Sequence, residues 1–495
     1  MPEFFSLGPH DSAKLDALLG GLNAGIVPLS SVKDGNEKVR FDSGYFDKQA
    51  LLAVGLLEGK VTEPLGAITS TLRKGIFDIK ADTYVNEGEG VPFVRIGDMK
   101  GGLIEASSTA WISHKAHTKE RKTALHFGDI VLSKTAYPAA SFINLRECNA
   151  SQDVVAVKFS KDGAKRFKSG FVTSYLNGKI GLPIMSRFFQ GNVQQHLSLD
   201  DAKKIELPRL SDEFQERVHK CVLGANDRRK EALTKVGQAE TALLKALGLA
   251  DWAPPEPLAY SAASAATVAS GRLDAQYFMP AKTGVQEALR RLPGKPLGER
   301  FVSIRQLMDP KKDTAPPIVR NYDVTDALQP ILDDEKEPVA TEEIGSTKKV
   351  LKNGDVAISR LRAYLREIAV IKTDGKIPAV GSSEFIVLRP KTKTDKAIAP
   401  ETLLTFLRSA PVQTILKWCQ DGSQHPRFSE GDLLAIHFPD AVEAASAAIA
   451  AIVQEGFEAR ARARTLLDAA KRAVEIAIED SEAAALAYLD KMGAA

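Results

Sequence analysis

The chain has 495 residues, 44% of them hydrophobic and 26% charged, the balance of a folded protein rather than a disordered one and too much length for one hydrophobic core. Its formal net charge of +3 does not announce a nucleic-acid binder, because phosphate attraction depends on local basic surface. Three isolated cysteines, Cys148, Cys221 and Cys419, exclude a disulfide framework and a thiolate metal cluster. The apolar runs, such as residues 51–57, fall far short of the roughly 20 residues of a bilayer span, and no basic stretch precedes an apolar run at the N-terminus. A cytoplasmic protein with no membrane partner is expected.

In chain order, residues 1–39 read as an N-terminal extension and residues 40–211 as a β-rich globule, with short apolar runs at 130–132 and 154–157 bounded by Gly, Asn, Asp and Ser. Residues 212–249 change texture. Val218, Val222, Ala225, Ala232, Val236, Ala239 and Leu243 recur at steps of three and four, broken once by Arg229, which is a heptad-like stripe on a helix. Residues 250–271 hold Pro254, Pro255, Pro257 and a run of Ala and Ser, the composition of a linker. A second globule over 272–440 contains the apolar run 385–388, and a second helix over 441–491 carries Val442, Ala445, Ile449, Ile452, Ala459, Ala463, Leu466, Ala470, Ala473 and Ala477. Alanine-rich seams let helices approach closely, so the two stripes are expected to pack as an antiparallel coiled-coil spacer. The fold class is α+β.

The two globules are copies of one plan. Arg40-Phe41-Asp42-Ser43-Gly44-Tyr45-Phe46 returns as Arg272-Leu273-Asp274-Ala275-Gln276-Tyr277-Phe278, an offset of 272 − 40 = 232, and Pro64-Leu65-Gly66 returns as Pro296-Leu297-Gly298 at 296 − 64 = 232. Gly128-Asp129-Ile130 with Ser133-Lys134 then matches Gly354-Asp355-Val356 with Ser359-Arg360, and Ser151-Gln152-Asp153 matches Ser382-Ser383-Glu384. Gly191, Ser198, Asp201 and Pro208 match Gly422, Ser429, Asp432 and Pro439.

Catalytic spacing is missing. There is no phosphate-binding Gly-x-x-x-x-Gly-Lys-Ser/Thr loop, no dinucleotide fingerprint and no nucleophile elbow. The Asp/Asn-Pro-Pro-aromatic motif of an adenine methyltransferase is also absent, since both Pro-Pro pairs follow alanine. His114 and His117 have the spacing of a metal pair without a third ligand and read as solvent-exposed; Asp78-Ile79-Lys80 is too common a pattern to mark a nuclease. No catalytic residue, cofactor or metal is expected. Basic groups instead gather in each globule beside aromatics and amides, as Arg, Gln and His that read base edges and Lys that holds phosphate would. The candidates for DNA contact are Lys134, Tyr137, Lys158, Gln194, Gln195 and His196 in the first copy, and Arg360, Arg362, Tyr364, Gln424, His425 and Arg427 in the second.

Several segments, in this order and duplicated, resemble the specificity subunit of type I restriction-modification systems across essentially the whole chain. They are Val91-Pro92-Phe93-Val94-Arg95-Ile96-Gly97-Asp98-Met99, Leu125-His126-Phe127-Gly128-Asp129-Ile130-Val131-Leu132-Ser133, residues 191–198, Ile205-Glu206-Leu207-Pro208 and Glu213-Phe214-Gln215. The resemblance implies two target-recognition domains that read the halves of a split double-stranded DNA site, separated by the helical spacer. DNA adenine methyltransferase subunits would be the partners, with a restriction/translocase subunit left open. Residues 1–39 and the diverged second copy depart from the family plan. The rival readings are a non-DNA scaffold of two β-rich modules on a coiled coil and an enzyme with an unrecognised nuclease site.

Overall fold

A computed structural model describes residues 40, 42–77, 79–106, 109–191, 194–255, 257–391 and 398–493; the expected extension over 1–39 lies outside them. The chain divides into two compact units, Met1–Arg229 with Ala461–Ala495, and Lys230–Arg460. The division runs through both long helices, Asp212–Ala246 and Ser446–Glu479.

In the first unit one sheet runs, strand by strand, Thr69–Lys74, Val154–Phe159, Ile130–Ser133, Ala140–Phe142, Leu103–Ile104 and Met99–Lys100. In the second unit the matching sheet runs Phe301–Ser303, Phe385–Pro390, Val356–Ser359, Ile368–Lys372 and Ile331–Asp333. Both keep antiparallel pairing until their fourth and fifth strands, which pair parallel through Phe142 with Leu103 and through Leu332 with Ile371. The central strands Ile130–Ser133 and Val356–Ser359 are buried at every residue, which explains their continuous apolar texture.

The repeated tripeptides have a packing reason. Leu65 and Leu297 are buried and donate their backbone N–H to Ile205 O and Ile436 O, each at 2.8 Å. Burying one leucine side chain contributes about 1.5–3 kcal/mol. The following glycine leaves no room for a side chain: a Cβ at Gly66 would stand 2.8 Å from Lys203 Cβ, and one at Gly298 would stand 3.0 Å from Leu434 Cβ. The short helices opening after Ser198 and Ser429 are capped alike. Asp201 N–H and Asp432 N–H donate to the serine hydroxyls at 3.1 and 3.0 Å, while each hydroxyl donates to the same aspartate's carboxylate at 2.6 Å.

The helical seams form within each unit. In the first, Val218, Val222 and Ala225 share a core with Ala463, Leu467, Ala470, Ala473 and Ala477. The helices run antiparallel there, since Ser211 bonds to Glu482 while Gly224 faces Leu466. In the second, Ala239 and Leu243 share a core with Ile449, Val453 and Phe457, and Lys235 pairs with Glu455. Phe214 and Gln215 tie the start of the first long helix to its own globule: both are buried, and the Gln215 amide donates to Arg166 O and Leu210 O at 3.0 and 2.9 Å. The expected stripe is not continuous. Val236 is 39% exposed because it lines a recess of about 190 Å³ with Leu404, Arg408 and Val453.

Candidate nucleic-acid interface

Each buried central strand ends in a serine and passes into an exposed loop, and a second segment from later in the chain zips onto that loop. In the first unit Lys134 N–H donates to Asp153 O at 2.8 Å, Leu197 N–H donates to Lys134 O at 2.8 Å, and Ala136 N–H donates to Gln195 O at 3.2 Å. In the second, Arg360 N–H donates to Glu384 O at 3.1 Å, Phe428 N–H donates to Arg360 O at 3.2 Å, and Arg362 N–H donates to Pro426 O at 2.8 Å. The same three bonds thus recur at equivalent positions. Ala136 and Arg362, one residue before the loops diverge, both adopt left-handed backbone at φ 67° and 49°. Non-glycine residues rarely do so, and such strain persists where surrounding structure over-determines it.

The entry to the second segment is clamped from the N-terminal motif. Arg40 is held by Asp42 at 2.6–2.7 Å, lies 4.8 Å over the Tyr45 ring and donates to Phe189 O at 3.2 Å. Arg272 is held by Asp274 at 2.5–2.8 Å, lies 4.8 Å over Tyr277 and donates to Gln420 O at 3.3 Å. The duplicated Arg-x-Asp-x-x-Tyr is therefore a base on which the loop stands, and the loop then turns at Gly191 or Gly422, both at positive φ.

The zipper brings most of the sequence candidates together. Tyr137, Gln194, Gln195 and His196 are exposed and Lys134 half-buried on one edge of the first unit; Arg360, Tyr364, Gln424 and His425 are exposed, with Arg362 and Arg427 half-buried, on the matching edge of the second. The hydrogen bonds also set their pairing. Pro426 falls on Gln195 and Arg427 on His196, an offset of 427 − 196 = 231, so His425 answers Gln194. Tyr137 and Tyr364 have no common position, because residues 134–139 and 360–367 differ in length and the second folds as a 3-10 turn over Ala363–Leu365.

Lys158 does not join them. It lies at the far end of Val154–Phe159, beyond the pairing of Val157 with Ile130, whereas Lys134 adjoins the opposite end through Asp153. Five residue steps of strand separate Lys158 from Asp153, about 17 Å. Its equivalent, Arg389, makes two bonds to the buried Asp355 carboxylate at 2.7 and 2.8 Å. Burial raises the Asp129 carboxyl above the usual carboxylate range, opposed in part by the His126 N–H and the charge of Lys158. The position is built for the sheet. His117 is also corrected: it is buried, with Nε2 3.1 Å from Glu147 and Nδ1 3.4 Å from the Asn149 amide, because the helix His114–Lys119 carries it over the strand Glu147–Ala150.

Glu384 was legible only as a repeat mark, yet it organises the second site. Its carboxylate accepts from Arg427 Nη2 at 2.8 Å and from Arg360 Nε at 2.8 Å. The hydrogen bond from Arg427, then that from Arg360, hold its carboxyl down at about 2 against the opposing effect of burial. Arg362 Nη2 stands 3.3 Å from His425 Nδ1. Its arginines and His425 belong to the loop pair, and Glu384 joins them from the turn before the strand Phe385–Pro390.

No protein-family model and no curated protein matches the chain. Solved structures do. The chain is similar to the HsdS subunit from Thermoanaerobacter tengcongensis (15% identity, 86% of this chain and 97% of that one, TM-score 0.28). It is similar to the type I restriction-modification S subunit from M. genitalium (12% identity, 88% and 96%, TM-score 0.32). It is also similar to a chain solved in a study of complex assembly and conformational transition of the type I restriction-modification system (14% identity, 86% and 98%, TM-score 0.27). Neighbours this remote decide nothing about activity, and the functional reading rests on the duplicated loops themselves. Among the described residues, no helix is long and apolar enough to cross a membrane.

Proposed function

We propose that the chain is a non-catalytic specificity subunit that directs a DNA methyltransferase to a bipartite duplex site, each unit reading one half. The observation that carries this is the duplicated loop pair. Two separate units present basic, amide and aromatic side chains on the same hydrogen-bonded frame, with the same left-handed residue at its turn. Chemistry of that kind suits base edges in a major groove, where guanidinium reads guanine and an amide reads adenine, each good bidentate contact discriminating by roughly 1–3 kcal/mol. Lysine and the remaining arginines would hold phosphates. The partner methyltransferase would supply all of the group transfer; a restriction/translocase subunit is compatible with this role and not required by it.

Selection from a randomised duplex pool tests the proposal. The full chain is expected to enrich one split consensus and to lose affinity steeply as salt rises, because each neutralised phosphate releases counterions. The paired change Arg360→Ala and Arg362→Ala should weaken preference in one half of that consensus only. Binding indifferent to salt, with no sequence enriched, would sink the proposal and favour a protein scaffold.

A further inference from the structure

The second loop pair carries an arrangement that DNA binding in general does not require. Arg360 and Arg427 lie at the ends of the two zipped segments, and a single carboxylate, from neither segment, sits between them. Arg360 gives Glu384 its Nε at 2.8 Å, and among the described residues no hydrogen bond engages its end-on pair Nη1 and Nη2, on a side chain 46% exposed. Arg427 gives Nε and Nη2 to the same carboxylate and Nη1 to His425 O at 3.1 Å, so its planar fork is largely spent. A guanidinium buttressed at Nε is fixed in direction, and its terminal face matches the O6 and N7 acceptors of a guanine. The carboxylate also cancels one of the two positive charges of the Arg360–Arg427 pair, weakening capture by any passing phosphate.

We propose that Glu384 is a positioning residue for sequence preference: it aims Arg360 at a guanine in the half-site read by the second unit and keeps the arginine pair from serving as a general phosphate clamp. This rests on the proposed function. Residues at the matching positions of the first unit are Lys134, His196 and Asp153, a set without a guanidinium, so an arginine aimed by a carboxylate belongs to the second unit alone. The depressed titration of the Glu384 carboxyl is consistent with a charge that stays in place throughout the physiological range.

The full chain carrying Glu384→Gln, nearly isosteric, tests this by selection from a randomised duplex pool and by salt titration on a duplex lacking the selected sequence. Preference for guanine at one position of the second half-site should fall by about tenfold or more, while the first half-site is unchanged. Binding to the unselected duplex should tighten and its salt dependence steepen by about one phosphate. Glu384→Asp, which keeps the charge, should return the salt dependence to the native value, a response that a purely structural lesion would not give. Arg360→Lys, which keeps the net charge and removes the planar fork, should lose the guanine preference with the salt dependence unaltered, and it decides the matter should Glu384→Gln fail to fold. A native chain that selects a split site, with Glu384→Gln selecting the same guanine at the same strength, overturns this role alone. A native chain that selects no duplex sequence overturns the proposed function and this role together.

Discussion

Equivalent residues in the two units have been put to different uses, and the sheet end occupied by Lys158 and Arg389 separates them most sharply. Arg389 is bonded twice to Asp355, whose side chain is 1% exposed, and the carboxylate also accepts from the Lys352 N–H at 2.8 Å. Arg389→Met would strand a buried charge, a loss of roughly 3–5 kcal/mol for fully buried pairs; with the guanidinium 31% exposed, the lower end is expected, about 3 kcal/mol. Lys158 reaches Asp129 only through space, so Lys158→Met should cost less than about 1 kcal/mol. Urea unfolding of the two variants checks this, and equal costs would contradict it. The same pair shows where the sequence stopped being legible at the site. Lys134 and Arg360 could be found because each follows a fully apolar run and a serine at matching places in the repeat. Lys158 looked like part of the same basic cluster because spacing along a strand does not reveal at which end of the sheet a side chain lies. Glu384 was hidden because an acid reads as hostile to DNA, and its arginines are 24 and 43 residues away.

At the level of elements, repetition made the fold readable where each repeated residue has one local job. Arg40 and Arg272 stand on their own aspartate and tyrosine, Leu65 and Leu297 enter the core, and Ser198 and Ser429 cap helices. The stripes on the long helices were also legible, since Val218, Val222, Ala225, Ala463, Ala470 and Ala473 are all buried. Val236 departs from the pattern because its face opens on a recess, and periodicity records which side a residue occupies but not whether anything covers it. These helices carry a consequence of the proposed function. Inserting one turn, about 5.4 Å, within residues 459–477, with a compensating turn in the facing helix, should alter the gap tolerated between half-sites and leave the half-sites themselves intact. Methylome sequencing of cells bearing such a variant and its methyltransferase checks this; an unaltered gap would remove the spacer from the account.

For the whole molecule, the important feature is that the first unit is discontinuous in sequence. Its core draws Phe171, Phe214 and Val222 from before the second unit and Ala470, Val474, Ala485 and Leu489 from after it, and Lys179 N–H is capped by Glu475 at 2.9 Å. A chain ended after Arg460 should therefore damage the unit at the opposite end of the sequence. Amide exchange should show lost protection along Val154–Phe159 and retained protection along Val356–Ser359; uniform retention would contradict the shared core. During synthesis this inverts the usual order, in which N-terminal domains close first. The globule that holds Phe171 and Phe214 waits on the ribosome with an apolar flank uncovered until the segment from Ala463 to Leu489 has emerged, so the nascent chain is expected to need chaperone shelter at that unit, and a frameshift just before that segment to act as a lesion in a globule made about 250 residues earlier.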